Sequence, residues 1–213
     1  MAHSDNVEIA ERFQRAVRID EDHRGAEALE GFVCPQSSAE LLLRMARQID
    51  NAGQCAFTWT GPYGGGKSSL AVAFGALFSR DSRLRARAER LFSEEVVGAL
   101  RSAVPSSAHG WRTVTVVGSR ADPVQAVGDA LASEVPNLKA PAKGWTERAV
   151  LDELSRAAEE GGILLLVDEM GKFLEAASAG EADIHLFQQI AELANRSGQR
   201  IIFVGILHQA FAN

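Results

Sequence analysis

"TWTGPYGGGKSSLAVAF" (Thr58–Phe74) sets four glycines and a lysine between a short apolar run and a longer run of small and apolar residues. Gly61-Pro62-Tyr63-Gly64-Gly65-Gly66-Lys67-Ser68 satisfies G-x-x-x-x-G-K-[ST], and a second serine, Ser69, follows. Glycines at these places let the backbone take positive φ and wrap its N–H groups around phosphate oxygens. Lys67 then reaches the outer phosphates of a nucleotide, Ser68 holds Mg²⁺, and the N-terminus of the following helix adds its partial positive charge. The flanks fit this reading. "QCAFTWT" (54–60) has the length and residue types of a buried strand, and "KSSLAVAFGALFS" (67–79) those of a helix buried on most sides.

Outward from this motif the chain alternates. Residues 5–17 fit a helical stripe with Asp5 as cap, and "SSAELLLRMARQID" is a helix capped by Ser37 or Ser38. After the glycine-rich loop and its helix comes one long polar helical region, "RDSRLRARAERLFSEEVVGALRSAV". "WRTVTVVGS" (111–119) is the next strand, rich in β-branched residues. Asp122-Pro123 opens a helix to about Glu134, and Thr146 caps another that two glycines stop. "ILLLVDE" (163–169) and "QRIIFVGIL" (199–207) are strands, with the amphipathic "DIHLFQQIAELANRSG" between them. Continuous apolar strands alternating with helices imply an α/β fold with a parallel sheet covered on both faces. At 213 residues the chain makes one ordinary domain. We divide it into an N-terminal helical segment (1–30) and a nucleotide-binding domain (31–213).

Asp168 and Glu169 sit where the third strand ends, and in a parallel sheet that end is where ligands bind. Asp168 suits a metal or its water shell, and Glu169 suits the base that orients and polarises an attacking water. Asp168–Gly171 also matches the D-x-x-G of GTPases, but no guanine-reading N-K-x-D follows a later strand. Small-molecule kinases usually lack the adjacent glutamate. A whole strand, "TVTVVGS", lies between the glycine-rich loop and the Asp-Glu pair.

That arrangement resembles the P-loop ATPases with an additional strand and a catalytic glutamate, the division that holds AAA+, STAND and RecA-like proteins. The resemblance implies sheet order 5-1-4-3-2, ATP and Mg²⁺ as ligands, and ATP hydrolysis. It also implies a polar sensor residue at the end of the fourth strand, where this chain has His208 and Gln209. In AAA+ and origin-recognition-like ATPases a segment before the P-loop strand packs on adenine. Phe32 and Val33, in "GFVCPQSSAELLLRMA", are the candidates here. "GPYGGGKSSLA", "LLLVDEMGKFLE", "QQIAELANRS" and "LHQAF" together look like the ATPase module of large bacterial AAA-type proteins, some encoded in phage-defence clusters. Such modules continue to a fifth strand, an arginine finger and a helical lid, whereas this sequence stops at Asn213. The expectation is therefore an N-terminal piece of a larger, oligomeric protein. Its function is ATP hydrolysis that drives conformational change, or else an ATP/ADP-dependent switch with little turnover. Arg196 and Arg200 flank the sensor strand and are the arginine candidates within the chain, a surface role being the simpler reading.

Composition narrows the partners. A net charge of −6 gives the chain no overall field for nucleic acid or acidic lipid. Arg83, Arg87 and Arg90 share one helical face, but Glu89, Glu94 and Glu95 lie nearby and no aromatic residues interleave for base stacking. A solvated face is the simpler reading, so nucleic acid stays a secondary option beside protein partners. Two isolated cysteines, Cys34 and Cys55, fit reduced thiols. No signal peptide opens the chain, and no apolar run reaches the roughly eighteen residues of a membrane span. A cytoplasmic location is expected.

Overall fold

A computed structural model describes residues 17–107, 109–180 and 183–208. Within them four strands, β1 (Ala56–Gly61), β2 (Arg112–Val117), β3 (Ile163–Asp168) and β4 (Ile201–His208), form one parallel sheet in the order β1-β4-β3-β2. This is the 1-4-3-2 part of the expected order. Among the described residues no strand lies on the far side of β1. The helix expected over 5–17 falls almost wholly outside the described residues.

The helices are α1 (Ile19–Asp22), α2 (Gln36–Ala52), α3 (Lys67–Phe78), α4 (Ser82–Glu89), α5 (Glu94–Ala103), α6 (Pro123–Glu134), α7 (Glu147–Glu159), α8 (Gly171–Ser178) and α9 (His185–Arg196). A short 3₁₀ turn spans Ala26–Leu29. Burial follows the hydrophobic patterning. All six residues of β3 are buried, as the unbroken run "ILLLVD" requires of a central strand covered on both faces. In β1, Phe57 and Trp59 are buried while Thr58 and Thr60 are exposed. Trp59 packs beside Phe74 of α3 at 5.8 Å and donates its indole N–H to Met45 Sδ of α2 at 3.2 Å. On the opposite face, Phe187 of α9 stacks on Phe203 of β4 at 6.1 Å.

Several expectations are refined. α2 begins at Gln36 behind Pro35, whose side chain offers no cap, rather than behind Ser37 or Ser38. The long helical region after α3 is two helices. The Ser93 hydroxyl accepts from Val96 N–H and starts α5 anew, whereas Asp81 caps α4 by accepting from Arg83 and Leu84. Thr146 caps α7 as expected, through Ala149 N–H, and Asp122 caps α6 through Val124 N–H. α8 was not anticipated. It is short and follows the strand exit directly, with Gly171 as its first residue.

Within the arginine-rich run and the helix after it, several arginines are engaged by the chain itself. Arg87 pairs with Glu30 at 2.9 Å, Arg101 pairs with Glu89, and Arg85 donates to Ser79 O. Of the three arginines read on one face, Arg87 is thus tied to Glu30. Cys55 is buried, which pushes its thiol up to about 11, and Cys34 is also free. No described helix is long and apolar enough to cross a membrane.

Candidate functional site

Strand register assembles the site. Gly61 pairs with His208, and Val117 pairs with Asp168. The C-terminal ends of all four strands therefore open on one side of the sheet, where parallel sheets bind ligands. A cavity of about 560 Å³ lies there, walled by the glycine-rich loop, the end of β3 and His208. A slightly larger groove, about 640 Å³, lies at the other end of the strands between α7 and α9. It carries no residue of the glycine-rich loop or of the Asp-Glu pair.

The loop from Pro62 to Gly66 joins β1 to α3. Gly64 and Gly66 take φ of 71° and 75°, the left-handed region that only glycine enters at little cost, and Gly66 is the residue before the first turn of α3. The Lys67 ammonium donates to the loop's own carbonyls, Gly61 O at 2.9 Å and Pro62 O at 2.7 Å. Partial burial lowers its pKa, and the charge of Asp168 opposes that shift. Gly64, Gly65, Gly66, Lys67, Ser68 and Ser69 all line the cavity, whereas Gly61 and Pro62 do not and meet Lys67 through their carbonyls.

Ser68 and Asp168, one hundred positions apart, meet across the cavity floor. The Ser68 hydroxyl donates to Asp168 Oδ2 at 2.6 Å. Glu169 N–H donates to Asp168 Oδ1 at 2.8 Å, so both oxygens of this buried carboxylate are oriented. Among the described residues no three or more His, Cys, Asp or Glu side chains converge for a metal. The Ser68–Asp168 oxygen pair suits an Mg²⁺ ion that takes its remaining ligands from phosphate and water.

Glu169 turns the chain. Its φ is 49°, and the turn is held from both sides. Gly118 N–H donates to Asp168 O at 2.7 Å, and Met170 N–H donates to Ile206 O at 3.0 Å. The Glu169 carboxylate lines the cavity and is paired with the ammonium of Lys172, in the first turn of α8. That pairing raises the Lys172 pKa.

His208 lines the cavity at the sensor position, and its Nδ1 is buried without a hydrogen-bond partner. Its ring stacks on Tyr63 with 4.0 Å between centroids and 7° between planes. Tyr63 is 72% exposed, so this stack ties the tip of the glycine-rich loop to the end of β4. Gln209 lies outside the described residues.

The adenine candidates are not brought to the cavity. Phe32 packs against Phe92 at 5.9 Å, and Val33 is 78% exposed. The N-terminal segment reaches the cavity earlier, through Val17, Arg18 and Ile19. It crosses over β2 and α3 and is held by His23, whose ring nitrogens contact Ile19 O at 2.8 Å and Glu134 at 3.0 Å. No local sequence signal marks those residues; only the path of the segment over the sheet places them. Arg196 and Arg200 line the groove at the opposite end of the sheet, away from the glycine-rich loop. That removes them as arginines acting on this chain's own phosphate site.

No protein-family model and no curated protein matches the chain. Among solved structures it is similar to the Aeropyrum pernix ORC2 protein, described in ADPNP–ADP complexes, at 14% identity and a TM-score of 0.47, over 85% of this chain. It is also similar to C. elegans PCH-2, at 14% identity and a TM-score of 0.35, over 83% of this chain. The aligned part spans 44% of the first and 37% of the second, less than half of either.

Proposed function

We propose that this chain binds ATP with Mg²⁺ and hydrolyses its terminal phosphate, and that hydrolysis drives conformational change in a larger assembly. The observation that carries this is the convergence of Ser68 and Asp168 at 2.6 Å beside Lys67 and Glu169 in one cavity. A bare glycine-rich turn would have no reason to face an oriented carboxylate from a strand two positions away in the sheet.

In this reading the loop N–H groups hold the phosphate chain, and Lys67 leaves its carbonyl contacts to neutralise the outer phosphates. Ser68 and Asp168 are the residues that would hold Mg²⁺, which supplies charge neutralisation of the phosphate oxygens. Glu169 accepts the proton of the attacking water. His208, at the far wall, offers its ring to the terminal phosphate or to that water. Val17, half-buried at the cavity, replaces Phe32 and Val33 as the nearest apolar surface contributed by the N-terminal segment. The proposed setting is an oligomeric bacterial machine, in phage defence or nucleic-acid processing, on the strength of the motif set alone.

Two variants test the assignment. Lys67→Ala should weaken ATP binding about 10- to 100-fold, the equivalent of losing a hydrogen bond to a charged group. Glu169→Gln should bind ATP as the parent does and lose about 10²- to 10⁴-fold in turnover, the usual contribution of a positioned base. Titration with a fluorescent ATP analogue and a phosphate-release assay read the two effects. Unchanged hydrolysis by Glu169→Gln would remove the base from Glu169. The alternative, a nucleotide-dependent switch with little turnover, is favoured by one observation, the engagement of Glu169 by Lys172.

A further inference from the structure

We propose, on the ATPase reading above, that Tyr63 is a positioning residue: its ring fixes the His208 imidazole for the terminal phosphate and so lets the site tell ATP from ADP.

The loop sequence puts Tyr63 where it can do this. Gly61 and His208 are register partners, so the loop leaves β1 beside the end of β4. Pro62 O then accepts from Gly65 N–H at 3.3 Å, and Gly64 takes φ of 71°. A four-residue turn with positive φ at its third position favours glycine there and carries its second residue, here Tyr63, at the crest. Pro62 O is also one of the two carbonyls that receive Lys67. When Lys67 moves to phosphate, the Gly65 bond still holds the turn, and Tyr63 keeps its place.

A tyrosine 72% exposed at a crest has little burial to hold it. It stacks instead on His208 at 4.0 Å, whereas the other ring pairs among the described residues lie 5.3 Å or more apart. The contact matters more to the histidine than to the tyrosine. A working imidazole is ordinarily oriented by a hydrogen bond at one nitrogen, which aims the other. His208 Nδ1 is buried and has no such bond. The Tyr63 face, parallel to the imidazole within 7°, sets the ring plane in its place.

This division of labour separates the two nucleotides. Loop N–H groups and Lys67 serve phosphates that ATP and ADP share. His208 stands across the cavity at the end of β4, and in the proposed binding mode it meets the terminal phosphate alone. Losing the Tyr63 ring therefore weakens ATP and spares ADP.

The test compares AMP-PNP with ADP, each with Mg²⁺, by calorimetric titration of the whole chain. Tyr63→Leu should weaken AMP-PNP about two- to ten-fold, the scale of an aromatic pair, and move ADP by less than about two-fold. Tyr63→Phe keeps the aromatic face and should restore the parent affinity for AMP-PNP. In a His208→Ala background, Tyr63→Leu should cost nothing further. Tyr63 is the chain's only tyrosine, so a fluorotyrosine label gives a single fluorine resonance, which His208→Ala should shift in the nucleotide-free chain. Equal losses for AMP-PNP and ADP overturn the proposal, because Tyr63 then serves the loop or the nucleotide directly. A loss that adds to that of His208→Ala, or a resonance indifferent to that substitution, overturns it as well. A chain that binds neither nucleotide defeats the ATPase reading and the proposal together. Binding of both, with no change in Tyr63→Leu, defeats the proposal alone.

Discussion

Gly118 shows how tightly the residues around Glu169 are specified. A Cβ at Gly118 would meet Glu169 O at 2.0 Å and its carbonyl carbon at 2.7 Å, both backbone atoms that cannot rotate away. Gly118→Ala therefore has to push the Asp168–Glu169 turn off the end of β2. We expect a loss of about 2–3 kcal/mol in urea denaturation, at the upper end of overpacking costs. Turnover should also fall, because Asp168 and Glu169 move together relative to Ser68. An Ala variant as stable as the parent would mean that the turn yields freely. This glycine was not legible as a site residue, because it touches the site through backbone atoms only. The loop residues Gly64 to Ser69 were legible, since phosphate binding by backbone N–H groups demands glycines at fixed spacing. Glu169 was legible by its place after an apolar strand, but its partner Lys172 was not, since α8 itself had not been read from the sequence.

At the scale of elements, the strands were the most legible part. A strand buried on both faces has to be apolar at every position, and "ILLLVD" and "IIFVGI" leave little else to read. Helix breaks were less so. The region after α3 has a continuous helical composition, yet α4 stops at Glu89 with Arg90 as its C-cap, and Ser93 begins the next helix by accepting from Val96 N–H at 3.3 Å. A serine that caps and a serine that points to solvent look alike until the chain is folded. Ser93→Ala should cost about 1 kcal/mol, the usual value of an N-cap. The effect belongs to α5 and, through its packing on α2, to the support behind β1. Thermal unfolding should show it, while ATP affinity stays at the parent value. A Ser93→Ala protein of unchanged stability would show that the break between α4 and α5 is imposed by packing alone.

For the molecule as a whole, the stretch before the 3₁₀ turn decides how the cavity is completed. Local sequence pointed to Phe32 and Val33, but tertiary path brings Val17, Arg18 and Ile19 there instead. The tie that fixes this path is a partly buried cluster: Glu134 at the end of α6 receives His23 Nε2 at 3.0 Å and the Arg24 guanidinium. Burial pushes the Glu134 carboxyl up, but the hydrogen bonds and charges of His23 and Arg24 outweigh it, and the group lies below its ordinary 4.5. A depressed folded-state value means that the folded protein holds this proton less tightly than the unfolded chain. The stabilisation is thus complete above about pH 4.5 and is lost as pH falls through the lower folded value. Glu134→Gln should lower stability at pH 7 by about 1–3 kcal/mol, as expected for a buried charge-assisted contact. The gap between parent and variant should close in urea titrations as pH falls below 4.5 and through the lower folded value. ATP affinity should weaken with it, because the same tie seats Val17 and Ile19 at the cavity. A stability difference that stayed constant into acid would show that Glu134 acts there by shape and not by charge.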